Sequence, residues 1–116
     1  MFGLEEKVIL VSGGNRGIGA AIVAKLNEHG AQVAYTYRSA PGPAGNLPIS
    51  ADVTDPADME RVVEQVEQEL GPIYGVVANA GITQDALLSK MTYNQWANVI
   101  DTNLNGVFNT IQAVLP

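Results

Sequence analysis

The stretch Ser12-Gly13-Gly14-Asn15-Arg16-Gly17-Ile18-Gly19 decides how this chain folds. It follows the unbroken apolar run Val8-Ile9-Leu10-Val11 and opens a helical pattern. A strand that breaks into glycines and then a helix is the physical recipe for a phosphate site. Glycine lets the backbone turn tightly and approach a ligand, and the unbonded N–H groups of the helix start point at it. The spacing is G-x-x-x-G-x-G rather than the G-x-G-x-x-G of many dinucleotide-binding turns. The first thirty residues therefore argue for nucleotide binding, against the competing reading of a plain glycine-rich turn.

The pattern extends outward from that turn. Val8 to Val11 lacks polar alternation, as expected of a strand buried on both faces. The helix after it carries Ile18, Ile22 and Leu26 on one stripe and ends at Gly30, a natural C-cap. His29, in its last turn, reads as a solvated residue at the negative helix end rather than as a catalyst. Gln32 to Tyr37 is a second strand and Leu47 to Ala51 a short third. Parallel neighbours normally need a long, helical connection, yet here only the loop Ala40-Pro41-Gly42-Pro43-Ala44-Gly45-Asn46 is available. Asp55 to Leu70 is amphipathic, with Met59, Val62, Val63, Val66 and Leu70 on its core face, Asp55 as cap and Pro56 at the first helical position. Its acids Glu60, Glu64, Glu67 and Glu69 form a solvated outer face. Ile73 to Ala78 is a fourth strand. Thr92 with Gln95 makes a capping box for a long last helix, Tyr93 to Leu115. Strands alternating with helices predict an α/β fold with a parallel sheet and right-handed crossovers.

Composition narrows the partners. At 116 residues the chain is one domain at most. Its net charge of −6 and pI of about 4.5 speak against a nucleic-acid partner. There is no cysteine and one histidine, so neither thiolate chemistry nor a histidine-based metal cluster is expected. No signal peptide or long apolar stretch is seen, so the expectation is a cytoplasmic protein without a membrane partner.

Four motifs, the glycine turn, Asp52-Val53, Asn79-Ala80-Gly81 and Asn103 in Asp101-Thr102-Asn103-Leu104, resemble the short-chain dehydrogenase/reductase family in order and spacing. Within it, Asn79-Ala80-Gly81-Ile82-Thr83-x-Asp85-x-Leu87-Leu88 is similar to the 3-oxoacyl-[acyl-carrier-protein] reductases of bacterial fatty-acid synthesis. The resemblance covers the whole chain and implies a Rossmann-like three-layer α/β/α sandwich with strand order 3-2-1-4. Ser12 stands where the family usually has Thr, and either hydroxyl can bond the turn. The missing helix after the second strand also occurs in a branch of these reductases.

The resemblance implies a role for each matching residue. Gly13, Gly17 and Gly19 would form the turn over a pyrophosphate, with Ile18 packed below it and Asn15 and Arg16 in the loop. The second strand ends in Tyr37-Arg38, with no acid to hold a ribose 2′-hydroxyl. Arg16 and Arg38 would match a 2′-phosphate, which favours NADP(H) over NAD(H); the competing reading of Arg38 is an exposed loop charge. Asp52 would accept from the adenine amino group beside the Val53 amide, or else only cap the Thr54-Asp55 turn. Asn79 would tie neighbouring strands together, while Ala80 and Gly81 let the backbone approach the nicotinamide ribose; Gly81 is otherwise a plain strand-end glycine. Asn103 falls within the apolar face Trp96, Ile100, Leu104, Val107, Phe108 and Ile111. In the family the matching Asn holds a water in a proton relay and locally breaks the helix ladder. A helix-interface Asn bonded to backbone is the alternative.

The family's proton donor is a Tyr with a Lys four residues on, whose charge lowers its pKa. Tyr35, Tyr37, Tyr74 and Tyr93 are followed at that offset by Ser39, Pro41, Ala78 and Ala97, and the catalytic Ser has no candidate either. Residues 1–116 therefore resemble the NADP-binding amino-terminal half of a reductase acting on an acyl-carrier-protein-linked substrate, truncated after the long helix. The fourth strand would then lie at an open edge, which predicts a homo-oligomer or a complementing C-terminal half.

Overall fold

The computed structural model describes residues 4–14, 17–42, 45–79 and 92–115. Strands β1 (Val8–Ser12), β2 (Gln32–Tyr37), β3 (Leu47–Ser50) and β4 (Ile73–Ala78) form one parallel sheet in the order β3-β2-β1-β4. The predicted α/β class and strand order are those observed. In register, Leu10 sits between Ala34 and Val76. β1 is buried along its whole length because it has a strand on either side and helices over both faces.

Strand alternation sorts the apolar residues into two cores. Val8, Leu10, Ala34 and Ile49 face helix α2 (Pro56–Glu69) and its Met59, Val62, Val63 and Val66. Ile9, Val11, Val33 and Tyr35 face the opposite way, onto Val23 of helix α1 (Gly17–Glu28). α2 begins as its sequence predicts. The Asp55 carboxylate accepts from the amides of Ala57 (3.0 Å) and Asp58 (3.4 Å), and Pro56 opens the helix. Gly71, at φ +112°, turns the chain out of it.

β2 and β4 have the predicted limits, and β3 stops one residue early, at Ser50. The connection from β2 to β3 carries no helix among its described residues. The loop instead leans on Tyr35, whose ring lies where a Cβ on Gly45 would meet it at 2.7 Å.

The stripe on α1 needs correction. Ile18 is 75% exposed, while Gly19 and Val23 are buried and Ile22 and Leu26 half-buried. At about 100° per residue, positions 19, 22, 23 and 26 share the face turned to the sheet, and Ile18 falls beside it. Ile18 therefore does not pack beneath the turn.

The last helix departs from expectation in the face that it turns inward. It runs as α3 (Tyr93–Ile100), a π-helical turn (Asp101–Asn105) and α4 (Gly106–Val114). The π turn is closed by the Gly106 amide, which donates to the Asp101 carbonyl five residues back. The face against the rest of the fold carries small and polar residues, Thr102, Gly106, Asn109 and Thr110. The apolar face containing Leu104, Phe108 and Ile111 points to solvent, and Asn103 is exposed with it. Gly106 sits on this inner face because a side chain there would strike Val53 at 2.7 Å. The side chain of Trp96 lies outside the described residues.

β4 lies at the end of the sheet, and its residues are only half covered. Between β4 and the end of α4 lies an apolar cavity of about 240 Å³, lined by Ile73, Tyr74, Gly75, Val76, Ile111, Val114 and Leu115. No helix of the described residues is long and apolar enough to cross a membrane.

Candidate functional site

In an open parallel sheet the crevice for a ligand lies beyond the carboxyl ends of the strands, where strand order reverses. Here that point lies between β1 and β4, and the residues at those two strand ends are Ser12, Gly13 and Asn79. They are bonded to one another. The Asn79 amide donates to Ser12 Oγ (3.0 Å), and Asn79 Nδ2 donates to the Gly13 carbonyl (3.0 Å). On the other side, the Gly13 amide donates to Thr36 Oγ1 and the Gly14 amide to the Thr36 carbonyl, each across 3.1 Å. The turn is thus stitched to β2 and β4 at once.

Its glycines have separable reasons. Gly13 and Gly17 hold φ of +70° and +57°, in the left-handed region that other residues adopt at a cost. A Cβ on Gly17 would meet nothing within 4 Å, so only its backbone conformation requires glycine. Gly19 is glycine for space, since a Cβ there would lie 2.0 Å from the Gly13 carbonyl oxygen and 2.5 Å from Asn79 Nδ2. Gly14 is closed in the same way by Tyr35 Cβ at 2.5 Å. The result is a bend lying against the first turn of α1, with room above Gly17. That cradle and the dipole of a twelve-residue helix suit an anion.

Beyond β2 and β3 lie Arg38 and Asp52. Arg38 is exposed, and β2 ends without an acid. Asp52 is held at both its backbone and its side chain. Its amide donates to Asp58 Oδ2 (2.7 Å), and Asp58 is in turn paired with Arg61, which also donates to the Ser50 carbonyl (2.8 Å). Asp52 Oδ1 accepts from both the Thr54 hydroxyl (2.6 Å) and the Thr54 amide (2.9 Å). These bonds, the hydroxyl first, hold the Asp52 carboxyl below its ordinary value of 3.8, with the Arg38 charge adding to them and partial burial opposing. The turn-capping reading of Asp52 is therefore realised in the structure. A carboxylate has capacity beyond one oxygen, so an additional partner is chemically compatible.

Val53 is buried, and its carbonyl accepts from Asn109 Nδ2 across 3.0 Å. Asn15, Arg16, Ala80 and Gly81 lie outside the described residues. Asn103 lies in the π turn, so the break in the helix ladder is present at the residue where it was expected. Such turns recur at functional sites.

Sequence reasoning missed Thr36, Tyr35 and Asn109. Thr36 gave one signal, a small hydroxyl residue near the end of a buried strand. Asn109 shares a face with Thr102, Gly106 and Thr110, and from Thr102 the other three follow at spacings of 4, 7 and 8 that a count of apolar residues passes over.

Residues 7–116 match the family model described as short chain dehydrogenase. An acetoacetyl-CoA reductase of Synechocystis is 50% identical over 113 residues, covering 95% of this chain and 46% of that protein. The 3-oxoacyl-[acyl-carrier-protein] reductase MabA of Mycobacterium tuberculosis is 42% identical over 107 residues, covering 92% and 43%. Among solved structures, a blue fluorescent protein from a metagenomic library, in complex with NADPH, superposes with a TM-score of 0.85 at 37% identity, covering 96% of this chain and 51% of that one. The chain spans about half the length of the curated relatives it matches.

Proposed function

Because this chain belongs to the short chain dehydrogenases, we propose that it forms the NADP(H)-binding half of a reductase of 3-oxoacyl thioesters, with the acyl group carried on acyl carrier protein during fatty-acid synthesis. The observation that carries the reading is the glycine bend at the switch point, bonded to Thr36 on one side and to Asn79 on the other, with Asn79 bonded in turn to Ser12. These bonds support reading the bend as an anion cradle whose glycines would suit a pyrophosphate. Arg38 past the end of β2, with no acid beside it in sequence, supports a 2′-phosphate and hence NADP(H). The names of the relatives support a 3-oxoacyl thioester.

When bound, the coenzyme would supply a hydride to the substrate carbonyl. This chain's own share is to bind and orient. Gly13, Gly17, Gly19 and the start of α1, with Asn15 in the loop, would hold the pyrophosphate, and Arg16 would join Arg38 at the 2′-phosphate. Asp52 and Val53 would border the adenine. Asn79, Ala80 and Gly81 would border the nicotinamide ribose, and Asn103 would take part in proton delivery. The Ser and the Tyr-x-x-x-Lys would come from the rest of the protein. The test is NADPH oxidation by the full protein with an acetoacetyl thioester, beside titrations with NADPH and NADH. Turnover with a preference for NADPH is expected. Absence of uptake of either nucleotide by folded protein would overturn the reading.

A second reading rests on the open β4 edge and the apolar cavity beside it. It takes the chain as a half-fold whose role is to join a second copy or a complementing C-terminal half.

A further inference from the structure

We propose that Tyr35 is a positioning residue for coenzyme choice, a single side chain that sets the Arg38 loop against the glycine turn. The inference rests on the NADP(H) reading above. Tyr35 is 1% exposed and lies three residues before Arg38. Its hydroxyl donates to the Gly42 carbonyl (3.1 Å) and accepts from the Gly42 amide (2.8 Å). Both capacities of the hydroxyl are thus spent on one residue of the loop that follows Arg38. At its far end the loop is tied again, with the Val33 amide donating to Asn46 Oδ1 and the Asn46 amide donating to the Val33 carbonyl, each across 2.8 Å.

The ring works in the other direction. A Cβ on Gly14 would lie 2.5 Å from Tyr35 Cβ, and one on Gly45 would lie 2.7 Å from its Cε1. The ring therefore fills the gap between the glycine turn and the loop, with a glycine forced on each side. A fold of this kind would normally close that gap with a helix between β2 and β3. Here no helix crosses it among the described residues, and a connection without a helix lacks that element's internal bonds. The Tyr35 hydroxyl supplies two bonds, in the loop that follows Arg38, which is one of the cations expected to select the coenzyme. Freed from Gly42, Arg38 would have to be ordered at the moment of binding, which lowers affinity for the nucleotide that uses it.

The experiment is titration of the full protein with NADPH and NADH, following nucleotide fluorescence, for wild type and Tyr35→Phe, each alone and combined with Arg38→Ala. Tyr35→Phe is expected to weaken NADPH binding by roughly three- to tenfold and to leave NADH within about twofold. In the Arg38→Ala background it is expected to change neither. Equal losses for both nucleotides, an unchanged ratio, or an effect that persists without Arg38 would overturn the inference. Gly42→Pro removes the amide that the Tyr35 hydroxyl accepts from, while leaving Tyr35 itself in place. It is expected to move the ratio the same way and decides the matter if Tyr35→Phe does not fold. Wild type without a preference for NADPH would overturn the coenzyme reading and this inference with it. A wild-type preference that survives both variants overturns this inference alone.

Discussion

Asn79 Nδ2 donates to the Gly13 carbonyl across 3.0 Å, joining residues 66 apart in sequence at the point where the strand order reverses. The bond fixes the height of the glycine bend above the sheet, and Gly19 is pressed against both partners. Asn79→Ala removes this donor and leaves the Asn79 amide bond to Ser12 in place. A loss of about 1 kcal/mol in stability is expected, the ordinary net value of one hydrogen bond. Nucleotide affinity should fall further than stability does, because the freed carbonyl lets the bend relax. Urea unfolding beside a nucleotide titration of the full protein checks both. Stability lost with affinity intact would show that the bond serves only the fold.

Arg38 is exposed at the mouth of the site, so its removal should leave the fold alone. On the proposed reading, Arg38→Asp would replace a charge-assisted bond to a 2′-phosphate by repulsion. NADPH affinity is expected to fall by roughly 10- to 100-fold, with NADH affected far less. The wild-type preference should also shrink as salt is added, because an exposed pair is screened. Unchanged NADPH binding in the variant would remove Arg38 from the site.

The Asp52 carboxyl is held below its ordinary value of 3.8 by the Thr54 hydroxyl and amide, with help from Arg38. A carboxyl depressed in the folded state adds stability above its unfolded value, and that contribution is lost as pH falls through the folded one. Comparing wild type with Asp52→Asn by thermal unfolding should give a constant difference down to about pH 4, closing as the pH falls further below 3.8. Thr54→Val should reduce the effect, since it deletes the largest cause and leaves the amide bond in place. A difference that does not change in acid would mean that Asp52 is not bonded to Thr54 in solution.

What the sequence shows, and what it hides, follows from the kind of signal each residue leaves. β1, α2 and the capped start of α3 are legible because unbroken apolar runs, a one-face stripe and a capping box report local physics. The glycine bend is legible because positive φ and close approach demand one residue type. Ile18 and Asn103 misled for a shared reason. Apolar residues at helical spacing mark a face, but not which neighbour covers it, and on the last helix the inward face is the small and polar one. Thr36 and Tyr35 left almost no signal, because their partners, the Gly13 amide and the Gly42 backbone, are fixed only once the strands are laid side by side.

Asn109 is the buried amide of the last helix, and its Nδ2 reaches the Val53 carbonyl across 3.0 Å. It pins α4 to the segment that follows β3, beside the candidate adenine border. Asn109→Leu leaves that carbonyl without its partner in the interior and crowds the contact between Gly106 and Val53. A loss of about 1–3 kcal/mol is expected by chemical denaturation. Asn109→Asp, which cannot donate when ionised, should be at least as damaging. Stability within about 0.5 kcal/mol of wild type, the range of a surface change, would place the amide in water.

The outer face of α3 and α4 and the free side of β4 lead to the last expectation. Leu104, Phe108 and Leu115 are 63%, 62% and 65% exposed, and β4 offers one side of its backbone beside the apolar cavity. Contiguous apolar surface next to an open strand edge is an association site. The 116-residue polypeptide is therefore expected to self-associate with rising concentration, measured by light scattering. Phe108→Lys with Leu115→Lys should shift it toward monomer while changing stability by no more than about 0.5 kcal/mol, because both side chains face solvent. A monodisperse wild-type monomer at high concentration would contradict this. Association unaffected by the lysines would move the contact from the helix face to the β4 edge.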